Sequence, residues 1–161
     1  MVANGRILLA RTHPFMVDVV RPFLTANGWS PEALADLADL ARIGTRGYAG
    51  SIISTAPHGS VRQTYLQVFE ALRGRYPNLP VAFTTLVDWD SIEHALRLQL
   101  SVSMAKPEIL PVLAGTLASP ALGSPTGILV IRKEDLTDPS AAGLTAQILR
   151  RHFAPKGRSH R

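Results

Sequence analysis

Cysteine is absent from the 161 residues, which excludes a disulfide framework, thiolate metal sites and a thiol nucleophile. Charged side chains are scarce at 18%, against 46% apolar, a balance that suits a buried core rather than a disordered chain. No apolar run reaches the ~18 residues of a membrane span. The opening MVANGRILLA lacks a signal-peptide layout. The expected location is therefore the cytoplasm. Glycine-rich phosphate loops, Gly-x-Ser-x-Gly elbows and paired acidic motifs are also missing. His58, His94, His152 and His160 show no metal-ligand spacing. No enzymatic activity, cofactor or metal is expected.

The formal net charge is +5, and its location matters more than its size. Residues 150–161 (RRHFAPKGRSHR) carry Arg150, Arg151, Lys156, Arg158 and Arg161 and no acid, while the other 12 basic residues balance 12 acidic ones. The body is neutral and the end is basic, so the high isoelectric point says little about most of the folded surface.

The chain reads as alternating strands and helices. Arg6–Ala10 (RILLA) is a short apolar run typical of a strand buried on both faces. Pro14 opens a helix carrying Phe15, Val19 and Phe23, with Pro22 expected to kink or unwind it. Trp29–Ala33 reads as a poor strand because of Pro31. A helical stripe over Leu34, Leu37, Leu40 and Ala41 follows, and then the strand Gly50–Thr55. Val61–Arg75 is the clearest helix, followed by the strand Val81–Thr85. A helix capped near Asp90 or Ser91 leads to a fifth strand, Leu100–Ala105, and to a fifth helix, Glu108–Leu117. This pattern implies an α/β fold with a doubly wound, five-stranded parallel sheet. Ala118–Thr126 (ASPALGSPT) reads as a linker, and 127–153 as an extension made of an apolar strand and a helix. Residues 154–161 read as a basic, disordered tail.

In this layout ILLARTHPFMVDVVRPFLTANGW, ALRGRYPNLPVAFTT and SMAKP resemble the receiver domain of bacterial response regulators over about residues 5–117. The resemblance implies the (βα)5, flavodoxin-like fold. In that family two acidic residues after the first strand bind Mg²⁺, and an Asp ending the third strand takes a phosphoryl group. A Thr or Ser after the fourth strand and a Lys after the fifth contact its oxygens. Here the acidic pair falls on Arg11 and Thr12, and the phosphoacceptor on Thr55, with Ser54 as its neighbour. Thr85 and Lys106 match the phosphate-contacting pair. The resemblance therefore implies a degenerate site, a pseudo-receiver, with Arg11 or Lys106 filling the vacated pocket as a fixed positive charge.

The expected function is that of a phosphorylation-independent signalling protein in a two-component-type pathway. It would bind a histidine kinase, a receiver or an output protein, with homodimerisation a family-level expectation. Trp89, His94, Leu98, Met104 and Leu110 are the candidate interface. Two alternatives stand beside it. One is a DNA-binding regulator using the basic end; the other is a sensor holding a small molecule or anion in the former phosphate pocket.

Overall fold

A computed structural model describes residues 4–43, 48–104 and 106–154 of the chain. Its centre is a parallel sheet of six strands in the order β2-β1-β3-β4-β6-β5. These strands are β1 (Gly5–Arg11), β2 (Trp29–Ala33), β3 (Tyr48–Ser54), β4 (Val81–Thr85), β5 (Glu108–Leu110) and β6 (Gly127–Arg132). The helices are α1 (Arg21–Ala26), α2 (Tyr65–Arg75), α3 (Trp89–Ser103), α4 (Lys133–Thr137) and α5 (Pro139–His152).

The strands are apolar on both faces because both are covered. Leu8, Ala10, Ile53, Phe83, Ile128 and Val130 point into a core shared with α2 and α3. Ile7, Leu9, Ile52, Ala82, Leu129 and Ile131 point into an opposite core shared with α1 and α5. Pro31 is tolerated because β2 is an edge strand. Pro22 is accommodated in a different way: a widened turn, Met16–Val20, precedes α1 and places this proline in its first turn, where no N–H is required. The stripe around Leu37 forms only a short 3₁₀ turn, Leu37–Ala41, with the Asp36 side chain accepting from Ala38 N.

The sheet has six strands, not five, and the difference lies in its second half. The expected strand Leu100–Ala105 does not form over residues 100–104, Ala105 lying outside the described residues: α3 runs on through Ser103, because Ile92, Leu96 and Leu100 form one buried ladder at helical spacing. Glu108–Leu117 is not a helix: it holds the three-residue edge strand β5 and a 3₁₀ turn at Ala114–Ala118. The run at 127–132 is not an appendage either. It is β6, inserted between β4 and β5 and buried from Gly127 to Ile131. The body therefore continues through α5. Residues 118–126 form a packed crossover within the domain rather than a linker between domains; Leu122 in this segment is buried. Of the expected basic tail, Lys156, Arg158 and Arg161 lie outside the described residues.

Arg73 ties α2 to this crossover. Its guanidinium donates to the carbonyls of Pro77, Leu79 and Pro125 and lies over the Phe69 ring, 4.9 Å from the centroid. Its burial, without an acid partner in that set, lowers its proton affinity from the ordinary arginine value. Arg73→Met should lower stability by about 1–3 kcal/mol, read as a shifted urea midpoint with an unchanged slope. A midpoint equal to that of the parent chain would show that water replaces the guanidinium at no cost.

Candidate functional site

In a doubly wound sheet the carboxyl ends of the strands converge on one edge, where loops can present chemistry. Register identifies what stands there. Arg11 pairs with Ile53 at the end of β1 and β3, Ser54 pairs with Thr84, and Thr85 pairs with Arg132 at the end of β6. Arg11, Thr12, Ser54, Thr55, Thr84 and Thr85 are thus brought to one edge, as the sequence implied.

Lys106 is not among them. It precedes β5, whose first residue Glu108 pairs with Gly127 at the start of β6. The length of β6 separates it from the Thr85 end, about 16 Å at ~3.3 Å per residue. Lys106 is exposed, at φ 52°, on the amino side of the sheet. The cation beside Thr85 is Arg132, which sequence reasoning missed. The signal was present in the two-face-buried run GILVI followed by Arg132-Lys133. Arg132 meets Asp135 at 3.0 Å and Glu134 at 3.5 Å, and the hydrogen bond to Asp135 raises its affinity for its proton. Asp135 is itself buried, and it also accepts from the backbone N of Arg132 at 2.8 Å. This carboxylate caps α4 and neutralises the arginine that follows the strand.

Arg11 dominates the edge. Its side chain is only 2% exposed, and the loop after β3 closes around it. Nε donates to the Gln63 carbonyl at 3.0 Å, Nη1 to those of Ser54 at 2.7 Å and Ala56 at 2.6 Å, and Nη2 to that of Pro57 at 3.1 Å. Four carbonyls, that of Ser54 at the end of β3 and three from the loop after it, are thereby gathered on one planar fork, a task suited to guanidinium geometry. Burial lowers the proton affinity of Arg11, and a Coulombic contribution from Tyr65 opposes that shift. Carbonyl dipoles, rather than a carboxylate, surround the charge.

The hydroxyls at this edge are engaged within the protein. Thr55 Oγ1 donates to the Thr84 carbonyl at 3.1 Å, which also accepts from Thr55 N at 3.0 Å. Ser54 Oγ accepts from Ala56 N, and Thr85 Oγ1 accepts from Val87 N, each at 3.1 Å. Thr12 N donates to Ser60 Oγ at 3.0 Å, and Thr12 O accepts from Ser60 N at 2.8 Å. Gly59 permits this closure, since a Cβ there would lie 2.9 Å from Thr12 O and 3.0 Å from Arg11 Cγ. Among the described residues, no group of three or more His, Asp or Glu side chains is arranged to hold a metal ion.

The five candidate interface residues do not share one surface. Leu110 is buried in the α1/α5 core, whereas Trp89 and Met104 are half-buried against the α2/α3 core. His94 and Leu98 are exposed on α3. Val102, one turn beyond Leu98, is 82% exposed, and Leu86 and Val87 in the loop after β4 are also exposed. The sequence reading did not single out these three. Arg150 and Arg151 are exposed at the end of α5, where Arg151 donates to the Leu117 carbonyl at 2.8 Å.

No protein-family model and no curated protein matches the sequence. Solved structures do match in fold. NtrX of Brucella abortus, a response regulator, superposes with a TM-score of 0.58 at 15% identity, over 96% of this chain and 29% of that chain. A fusion protein carrying a yeast Spc42 trimeric coiled-coil segment superposes with a TM-score of 0.53 at 11% identity, over 98% of this chain and 89% of that chain. The chain thus spans less than a third of the length of NtrX. Identities this low establish the fold alone, and that fold is receiver-like. Among the described residues no helix is long and apolar enough to cross a membrane.

Proposed function

We propose that this chain is a receiver-like signalling protein that acts by binding a protein partner, without aspartyl phosphorylation. The single observation carrying the reading is Arg11. A buried guanidinium occupies the edge where the receiver resemblance expects acidic Mg²⁺ ligands, and it holds the end of β3 by one carbonyl and the loop after it by three. A divalent cation would meet a fixed positive charge there, and the terminus of β3 offers Ser54 and Thr55 rather than a carboxylate nucleophile.

The alternatives have less support. The sensor reading needs free donors at the edge, whereas the Thr55 hydroxyl already donates to the Thr84 carbonyl and four N–H groups of Arg11 donate to carbonyls. The DNA-binding reading uses the basic end, residues 150–161, of which Arg151 already donates to the Leu117 carbonyl of the body and Lys156, Arg158 and Arg161 lie outside the described residues.

Two measurements on the full chain test the proposal. Incubation with acetyl phosphate and Mg²⁺ should leave the intact mass unchanged, and an added phosphoryl group on Ser54 or Thr55 would overturn phosphorylation independence. Affinity capture from native lysate should recover a kinase, a receiver or an output protein. Recovery of duplex DNA instead, with an affinity that falls steeply with salt, would favour the DNA-binding alternative.

A further inference from the structure

The surface at the end of α5 is concave and cationic. A groove of about 310 Å³ runs between the turn at Ala114–Ala118 and the last turns of the helix, lined by Leu117, Gln147, Arg150, Arg151 and Ala154. Gln147, Arg150 and Arg151 stand at i, i+3 and i+4, so one side of α5 presents all three. All three are exposed. Arg151 Nη1 donates to the Leu117 carbonyl at 2.8 Å, which ties that guanidinium to the facing turn. Neither arginine meets a carboxylate among the described residues, unlike Arg6, Arg42, Arg97 and Arg132. α5, the 114–118 turn and residues 119–126 contain no acid. Glu108, whose N–H bonds to Thr126 O beside this crossover, pairs with neither arginine.

We infer that this groove binds a phosphate monoester carried on a small apolar body. Charge sets the ligand class. Two guanidinium charges outweigh the roughly half negative charge of the helix end, so the groove is net positive by more than one unit. A phosphate monoester near neutral pH carries ≈ −1.5 to −2 and offers three acceptor oxygens. Those oxygens match the fork of Arg150, the N–H groups that Arg151 does not spend on Leu117, and the Gln147 amide. A carboxylate brings half the charge and two oxygens. Leu117 and Ala154 supply apolar lining for the rest of the ligand.

The groove is remote from Arg11. α5 ends beside the first residues of the central strands: His152 Nε2 lies 2.9 Å from Val81 O, and a Cβ on Gly50 would overlap the Phe153 ring. Arg11 stands at the carboxyl ends of the strands. Failure of one site therefore leaves the test of the other standing.

Phenyl phosphate is the probe. Titrated into the full chain at about pH 7.5, it should shift the backbone amides of Leu117, Gln147 and Ala154 saturably, with a Kd of about 1 mM or tighter. Phenyl sulfate, of similar shape but a single charge, should bind about tenfold more weakly. Arg150→Gln should lose about tenfold in affinity, and Arg97→Gln on α3 should bind like the parent. Arg150 is exposed and ion-paired with no described residue, so its replacement does not endanger the fold. Phosphatidylcholine vesicles containing phosphatidic acid separate the two sources of such a group. Retention on them that Arg150→Gln abolishes assigns a lipid headgroup; phenyl phosphate binding without retention assigns a soluble ligand. No saturable shift below about 10 mM, equal affinity for phenyl sulfate, or undiminished binding in Arg150→Gln overturns the inference. Tighter binding of a short DNA duplex than of phenyl phosphate, lost in the same variant, overturns the monoester assignment.

Discussion

Arg11→Met is expected to lower stability by about 2–4 kcal/mol, a large effect for a side chain at the rim of a sheet. Methionine fills much of the same volume but supplies no donor. The carbonyls of Ser54, Ala56, Pro57 and Gln63 would then turn towards water or remain unpaired. Ser54 O is the costliest of them, because its contact with Arg11 is fully buried. Arg11→Lys should fall between the two, since an ammonium cannot span four acceptors spread around a planar fork. Arg11→Asp should be worse than Met, placing a carboxylate against the same carbonyl oxygens. Restoring an acid of the kind the receiver family carries would therefore not restore Mg²⁺ binding in this chain. Urea midpoints of the three variants check the order. An Arg11→Met variant within about 0.5 kcal/mol of the parent would show that the loop does not depend on the guanidinium, and would remove the main support for a permanently filled site.

Much of this edge was legible in the sequence because it depends on local signals. RILLA, GSIIST and VAFTT are short apolar runs bounded by polar residues, and each became a strand whose end carries the expected side chains. The identities of Arg11, Thr12, Thr55 and Thr85 followed from counting along those runs. What the sequence does not display is which carbonyls a buried arginine will collect. Gln63, Ala56 and Pro57 become neighbours of Arg11 only once the loop folds back over the strand end.

The second half was misread for a definite physical reason. Leu100, Val102 and Met104 alternate like a strand, yet Ile92, Leu96 and Leu100 also repeat every four residues, and the longer ladder prevails because a core already receives it. Ending the helix too early assigned the fifth strand to 100–105, which made SMAKP look like the family's lysine position. The apolar run at 127–131 reads as a strand, but the Pro/Gly/Ser stretch before it suggests a linker and so assigns that strand to an extension. Such composition also suits a tight crossover, here held by Ser119, Ser124 and Thr126 hydroxyl contacts and by His152. Placing β6 beside β4 moves the basic position at the end of the neighbouring strand from Lys106 to Arg132. A lone exposed lysine gives way to an arginine paired with Asp135.

Gly127→Ala should be the most damaging single-methyl change in the crossover, costing about 3 kcal/mol or more. A Cβ at this position would lie 2.1 Å from the Ala121 carbonyl oxygen and 2.8 Å from its carbon. Both atoms are backbone, so no rotamer change relieves the overlap. Neither side can easily retreat. Gly127 is paired with Glu108 of β5, its successor Ile128 with Val81 of β4, and its own N–H points to Ser124 O and Oγ at 3.2 Å. Ala121 O is in turn the acceptor for Ser124 N and for the Ser124 hydroxyl. Moving one strand end therefore disturbs the register that places Arg132 opposite Thr85. Gly74 and Gly143 provide internal controls, because a Cβ at either meets nothing within 4 Å and both lie inside helices. Alanine there should stabilise the chain by roughly 0.5–1 kcal/mol through helix propensity. Thermal or urea unfolding of the three variants separates the cases. A Gly127→Ala chain as stable as the Gly74→Ala chain would mean that β6 does not sit against the crossover as described, and the central position assigned to that strand would fall with it.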